Sequence, residues 1–293
     1  MNSNRNQTMQ FDFFNQAPKR SSEEIHPTIE QAHLLATKTL EENRISIDEF
    51  ENLYDPKRLD TDRERIRRKE SNFKHEVHND YSDVLEAILF EQIDGGNWFN
   101  KNAKAIKTSK IDDYFNGSDI ILELEDTART LSHLSLSIDV TFGTSTEKEK
   151  IGLIKKNIDK GILGRIDYFK SSRSQFRGEV TRIPQVVIGV EKDTVVEIAK
   201  LWLEKHADEA IKSEIDNHPI KRLILSEILL QLYTFRTYAS ETKKVDLVPI
   251  FEKDIQLLEE ILHSQGTVDT MALRDDRVFA AIREALTIFK ELK

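Results

Sequence analysis

A chain of 293 residues is long enough for one large domain, or for a domain with an appendage. Its 38% hydrophobic and 32% charged residues are typical of a helix-rich globular protein with a large solvated surface. The absence of cysteine excludes disulfides, thiolate zinc sites and cysteine nucleophiles. The net charge of −9 argues against nucleic-acid binding over the whole surface. Neither a signal-peptide core nor an apolar run of about 18 residues is present, so we expect a cytoplasmic protein without a membrane span.

The first 74 residues are polar and highly charged. We predict that residues 1–45 form a disordered or weakly helical tail, with a helix from about Thr28 to Asn43. Ser46 and Glu49 then have capping-box spacing, which indicates the start of another helix. Residues 46–74 are therefore predicted to be a charged, solvent-exposed helical connector.

Residues 75–205 have the pattern of an α/β core that begins with an amphipathic helix. The run Asp83–Ile93 carries an apolar stripe at helical spacing, with Glu86 and Glu91 among the apolar residues. Glu86 stands three residues after Asp83, so a capping-box role is one interpretation and a role in a site is the other.

Two strand-like runs follow, each carrying an aspartate. In Leu134–Phe142 apolar and polar residues alternate, and Asp119 begins a second alternating run. If the two strands are neighbours, Asp119 and Asp139 come within reach of one divalent cation. The other interpretation is that Asp119 caps a turn and Asp139 faces water. Asp113 is a further possible ligand, although an aspartate before a turn usually bonds its own backbone.

The rest of the chain alternates helices and strands and then becomes helical. A helix is predicted from Thr146 to Gly161, and another begins at Thr194. Strands are predicted at Arg165–Lys170 and Gln185–Val190, separated by the polar loop Ser171–Gly178. Residues 206–293 are predicted to be a helical region packed on the core, with helices at Leu223–Phe235, Phe251–Leu262 and Val278–Leu292. The fold class is therefore α/β or α+β, with a small sheet.

This order of elements resembles the PD-(D/E)XK nuclease superfamily, which has the restriction-endonuclease-like fold. The resemblance runs from Ser82 to His206 and rests on Glu86 in DVLEAIL, Asp119 in NGSD and Asp139 in SIDVT. The chain also resembles an uncharacterised subgroup with IDVT in place of the (D/E)xK motif. The resemblance implies a small central mixed sheet flanked by helices.

The resemblance also implies metal-dependent hydrolysis of phosphodiester bonds in nucleic acid. Asp119, Asp139 and Glu86 would hold Mg²⁺ or Mn²⁺, with Glu91 a poorer candidate than Glu86, and the cation would activate a water molecule. Thr141 stands where the family has its lysine and cannot supply a positive charge. Lys155 is the expected replacement as a catalytic residue, with Lys150 next, although a plain surface position is the other interpretation of each lysine.

A basic stretch supplies a candidate surface for nucleic acid. Residues 147–182 contain ten basic and five acidic side chains, and we expect contacts from Lys150, Lys156, Arg173 and Arg177. A solvated helix and loop would give the same pattern. DNA is favoured over RNA, and a homodimer is compatible with a fold whose enzymes often cut two strands. The alternative function is a catalytically inactive nuclease-fold protein that serves as a scaffold for nucleic acid or protein.

Overall fold

The computed structural model describes residues 25–73, 80–95, 98–139, 144–208, 211–265 and 277–290. Its centre is a four-stranded sheet with the strand order β1-β2-β3-β6. The strands are β1 (Ala103–Lys107), β2 (Ile120–Glu125), β3 (Leu131–Asp139) and β6 (Gln185–Gly189). β1 and β2 pair antiparallel, as do β2 and β3, whereas β3 and β6 are parallel. The predicted mixed α/β class with a small mixed sheet is confirmed.

Helices cover the sheet and account for most of the remaining described chain. Before the second strand they are α1 (Pro27–Asn43), α2 (Pro56–Phe73), α3 (Asp80–Asp94) and α4 (Lys110–Asn116), with a 3-10 helix at Ile47–Phe50. After the third strand come α5 (Thr144–Asp159), α6 (Lys192–Ala207), α7 (Lys212–Asp216), α8 (Ile220–Glu241), α9 (Val248–Ser264), α10 (Arg277–Ala285) and a 3-10 helix at Leu286–Phe289. Among the described residues, no helix has the length and apolar character needed to cross a bilayer.

The alternation predicted for β2 and β3 decides which side chains enter the main core. Ile120, Leu122 and Leu124 lie in the large hydrophobic cluster, whereas Ile121 points to the opposite face and joins a second cluster. Both faces of β2 are therefore covered. The predicted strand at Leu134–Phe142 corresponds to β3, which the structure describes only as far as Asp139.

The second hydrophobic cluster joins the segment 46–73 to a separate two-stranded sheet. This sheet is the hairpin of β4 (Gly164–Lys170) and β5 (Arg177–Ile183). The rings of Phe50, Tyr54 and Tyr168 stack or meet edge to face with centroids 5.3–5.7 Å apart. The charged connector expected at 46–74 is thus a packed element in its described part, because its few apolar residues bind the hairpin.

The described part of the predicted N-terminal tail is also packed. The helix expected at Thr28–Asn43 is α1, whose Ile29, Ala32 and Ala36 are fully buried in the main cluster. These apolar residues recur at helical spacing, so α1 contributes a face to the core. Residues 1–24 lie outside the described part of the chain.

Three elements were not predicted from sequence. β1 reads AKAIK and lacks an apolar run, α4 looks like a turn, and β5 lies partly in the expected polar loop. Gly117 ends α4 with a left-handed φ of 65°, which glycine adopts without a steric penalty. These elements matter because β1 and α4 carry two residues of the site described below.

The outer edge of β6 is occupied by side chains from α8. Gln231 Oε1 accepts a hydrogen bond from the Val187 amide at 2.9 Å, and Gln231 Nε2 donates to the Val187 carbonyl at 2.7 Å. Glu227 Oε2 accepts from the Gly189 amide at 3.2 Å. The Val187 amide and carbonyl and the Gly189 amide are satisfied in this way.

Candidate active site

Charged residues of several elements lie at one end of the strands of the four-stranded sheet. β1 ends there with Lys107, β2 begins there just after Asp119, and β3 ends there with Asp139. Lys107 is paired with Ile120 across β1 and β2, and Asp139 with Gly189 across β3 and β6. The antiparallel pairing of β2 and β3 therefore places the backbone of Asp119 and that of Asp139 at the same end of the sheet.

Asp119 is fixed by the backbone of β3. Its amide donates to the Leu136 carbonyl at 2.9 Å, and its Oδ2 accepts from the Ile138 amide at 2.7 Å. Its Oδ1 accepts no hydrogen bond from the described residues. Asp119 is thus bound to β3 next to Asp139, rather than capping the turn at Asn116 and Gly117, and it keeps one oxygen for another partner.

Glu86 reaches the same cluster from α3. Because α3 begins at Asp80, Asp83 is not its N-cap, and the capping-box interpretation of Glu86 is wrong. The carboxylate is nearly buried, and its Oε1 lies 2.5 Å from Lys107 Nζ without the alignment of a hydrogen bond. Glu91, the poorer candidate, lies elsewhere and accepts from Trp202 Nε1 at 2.8 Å.

Lys107 is the residue that sequence reasoning missed. Its side chain is 0% exposed, and its Nζ lies 3.0 Å from Asp113 Oδ2 as well as 2.5 Å from Glu86 Oε1. Arg44 donates to the same Asp113 oxygen at 2.9 Å. The proposed turn role of Asp113 is therefore replaced by two ion pairs. A lysine that follows alanines and an isoleucine in a short polar strand gives no sequence signal of burial.

The cluster shifts the pKa of each of its members. Burial raises the pKa of Glu86 to about 8, against the attraction of Lys107, and burial together with Asp113 raises the pKa of Asp119 to about 6. Burial alone would lower the pKa of Lys107, but the attraction of Glu86 and Asp113 outweighs it. Lys107 and Arg44 likewise hold the pKa of Asp113 below its usual value despite burial. Lys107 therefore stays an ammonium, and the excess proton of the cluster resides on a carboxyl.

The expected replacement lysines lie on α5. Lys155 Nζ contacts Tyr238 Oη at 2.6 Å and Asp159 Oδ2 at 3.3 Å, so its described contacts are not with the acidic cluster. Lys150 is close enough for its charge to lower the pKa of Asp119. Of the two, Lys150 is the one that the structure relates to the site. Thr141 and the side chain of Asp139 lie outside the described residues.

The basic stretch is largely paired with acids from distant parts of the chain. Arg173 donates to Glu125 at 2.7 Å and to the Lys101 carbonyl at 2.7 Å. Arg177 bonds the Glu49 carbonyl and lies 3.8 Å from its carboxylate. Lys156 is exposed on α5. The predicted nucleic-acid surface therefore retains its α5 lysines, while Arg173 and Arg177 hold the hairpin to its neighbours.

Within the residues described by the structure, no group of three or more His, Asp or Glu side chains has an arrangement suited to a metal ion. The predicted ligand set needs the side chain of Asp139, which is not among them. Comparisons with family models, curated proteins and solved structures found no match for the chain.

Proposed function

We propose that the chain is a metal-dependent nuclease that hydrolyses phosphodiester bonds in nucleic acid. The observation that carries this proposal is that the backbone positions of Asp119 and Asp139 lie at the same end of the sheet, where a buried lysine pairs with a carboxyl from α3. The elements α3, β2, β3, α5, β4 and β6 occur in the order on which the sequence resemblance rests, with β1, α4 and β5 inserted among them, and this order supports a restriction-endonuclease-like core.

The charges of the site fit one divalent cation. With all groups ionised, the three described carboxylates (Glu86, Asp113, Asp119) accompany two cations, Lys107 and Arg44, which leaves a net charge of −1 before the carboxylate of Asp139 is added. Asp119 Oδ1, which accepts no hydrogen bond from the described residues, and the carboxylate of Asp139 are hard oxygen donors of the kind that Mg²⁺ and Mn²⁺ bind. Asp119 and Asp139 are therefore the residues that would hold the cation.

The chain's own residues supply the remaining roles. A bound Mg²⁺ would act as a Lewis acid and lower the pKa of a bound water molecule. The hydrogen bond from the Ile138 amide to Oδ2 fixes the Asp119 carboxylate against β3. Lys150 adds positive charge near Asp119, where phosphate must approach. Glu86, predicted as a third ligand, is instead engaged by Lys107.

The test is nicking of labelled DNA and RNA with Mg²⁺ or Mn²⁺ and with the chelated protein. Asp119→Asn and Asp139→Asn should each reduce cleavage on the order of 100-fold or more, with unchanged circular dichroism. Asp246→Asn is the matched control, because Asp246 is exposed and pairs with Arg182 on the hairpin. Absence of cleavage of every substrate, together with absence of Mn²⁺ binding in calorimetry, refutes the proposal.

The inactive scaffold is the second candidate function. It is favoured by the ion pair of Glu86 with Lys107, which removes one carboxylate from the expected ligand set. A scaffold would bind nucleic acid or protein with the same affinity in chelator and in Mg²⁺ and would leave the strand intact.

A further inference from the structure

Lys107 is enclosed too completely to act on a substrate. Its side chain is 0% exposed, and it is the last residue of β1, where its ammonium contacts Glu86 of α3 and Asp113 of α4. A lysine that stabilises an attacking hydroxide or a phosphate must present its ammonium to that group. A buried lysine is stable only when its charge is paired, because transfer of an unpaired ammonium from water is very costly.

The surroundings of the ammonium are those of a bound cation. Three oxygens surround Lys107 Nζ: Glu86 Oε1 at 2.5 Å, Asp113 Oδ2 at 3.0 Å and the Asp119 carbonyl at 3.1 Å. The ammonium donates hydrogen bonds to the Asp113 and Asp119 oxygens, and its contact with Glu86 is an ion pair. Two of the three oxygens are carboxylate oxygens, which are also ligands of divalent cations.

Arg44 binds the same carboxylate oxygen of Asp113 as Lys107 does. Its Nη1 donates to Asp113 Oδ2 at 2.9 Å and to the Thr108 carbonyl at 3.4 Å. Asp113 Oδ2 thus lies between an ammonium and a guanidinium, and it cannot turn towards a metal without breaking both ion pairs.

We propose that Lys107 is a built-in cation that takes the place of a second divalent cation between Glu86 and Asp113. The site then has room for a single divalent cation, at Asp119 and Asp139, and this second half of the inference rests on the proposed function. Lys107 is a positioning residue: it fixes Glu86, Asp113 and the backbone at Asp119, and it sets the number of metal ions.

The test counts bound Mn²⁺ by electron paramagnetic resonance and calorimetry in the full chain and in Lys107→Met. Methionine keeps most of the length of the side chain and removes the charge. Glu86 then loses its ion pair and Asp113 is paired with Arg44 alone, so a cation can take the place of the ammonium between them. We expect one Mn²⁺ in the wild type and two in Lys107→Met. The matched control is Lys104→Met, on the same strand, where Lys104 pairs with exposed Asp94. Lys104→Met should bind the same number of Mn²⁺ ions as the wild type.

Thermal unfolding provides a second readout. Mn²⁺ at about 100 times its Kd should raise the Tm of Lys107→Met by about 5–10 °C more than that of the wild type, because the added ion restores the lost charge pairing. A count of two in the wild type, or an equal count in wild type and Lys107→Met, overturns the inference. A count of zero Mn²⁺ in the wild type and one in Lys107→Met would uphold the role of Lys107 and refute the metal site at Asp119 and Asp139.

If Lys107→Met does not fold, an NMR experiment on the wild-type protein tests the inference. Lysine ammonium groups that exchange slowly are visible in ¹⁵N-detected NMR spectra, and Lys107 should give such a signal at pH 8. The signal should persist at its position when Mg²⁺ is added. Its loss on addition of Mg²⁺, or an ammonium that exchanges with water as fast as exposed lysines, overturns the inference.

Discussion

Asp254 on α9 is a buried acid whose replacement should make the chain more stable at alkaline pH. Its side chain is 0% exposed, and one carboxylate oxygen accepts a hydrogen bond from the Ser132 hydroxyl on β3. The other oxygen, Oδ2, has no hydrogen-bond partner among the residues that the structure describes. Burial raises the pKa of Asp254 to about 7 from its usual 3.8, although the hydrogen bond from Ser132 and the charge of Lys253 oppose the shift.

The size of the effect follows from the two pKa values. Between pH 3.8 and about 7 the folded chain keeps a proton on Asp254 that the unfolded chain releases, so stability falls as the pH rises through this window. Each pKa unit corresponds to about 1.4 kcal/mol, and a shift of about three units therefore costs roughly 4 kcal/mol. The cost is complete above about pH 7 and absent below about pH 4.

The assay is urea unfolding of the wild type and Asp254→Asn from pH 4 to pH 8.5. Asparagine is nearly isosteric and can still accept from Ser132, so the pH-dependent part of the difference isolates the carboxyl charge. The free energy of unfolding of Asp254→Asn, relative to wild type, should increase by roughly 4 kcal/mol across the range. Asp246→Asn, at an exposed site, should show little change. A difference for Asp254→Asn that stays constant within about 0.5 kcal/mol refutes the reasoning.

Three further predictions concern the contacts of the β4–β5 hairpin, the basic stretch and the outer edge of β6. Glu123 accepts hydrogen bonds from His133, Ser171 and Ser172, which overcome the effect of burial and hold its pKa near 2. Glu123→Gln should therefore lose about 3 kcal/mol of unfolding free energy at pH 7 and progressively less below pH 4.5. Equal losses at pH 7 and pH 3 contradict this prediction. Lys156→Ala should reduce the salt slope of DNA binding by about one, measured by fluorescence anisotropy, whereas Arg173→Ala should lower the Tm and leave that slope unchanged; the reverse pattern contradicts the pairing of Arg173. Gln231→Ala should cost about 2–4 kcal/mol in urea unfolding and expose the Val187 amide to hydrogen exchange; unchanged protection contradicts the edge contact.

The alternation of apolar residues was sufficient to predict the central strands of the sheet. Ile120, Leu122 and Leu124 on one face and Ile121 on the other are consequences of a two-residue repeat, which the sequence displays directly. The same repeat, with one antiparallel pairing, places Asp119 and Asp139 at one edge. Long amphipathic helices such as α3 and α8 were predictable for a similar reason, since their apolar periods span several turns.

The partners of the charged side chains were not predictable, because they are set by tertiary packing. Lys107 lies in a strand with no apolar repeat, and its enclosure depends on α3 and α4 closing over the end of β1. Arg173 pairs with Glu125, 48 residues away in sequence, so the local charge count overstated the free positive charge of the stretch. Composition reports the number of charges, whereas their pairing depends on the fold.

The contacts of Gln231 and Glu227 with β6 limit how copies of the chain can associate. An outermost strand with free amides and carbonyls invites another strand to pair with it, which leads to sheet-extended dimers or to fibrils. Along β6 the side chains from α8 already occupy the groups at Val187 and Gly189. A homodimer of this chain therefore has to form through helices, the hairpin or another surface rather than by continuing the sheet across β6.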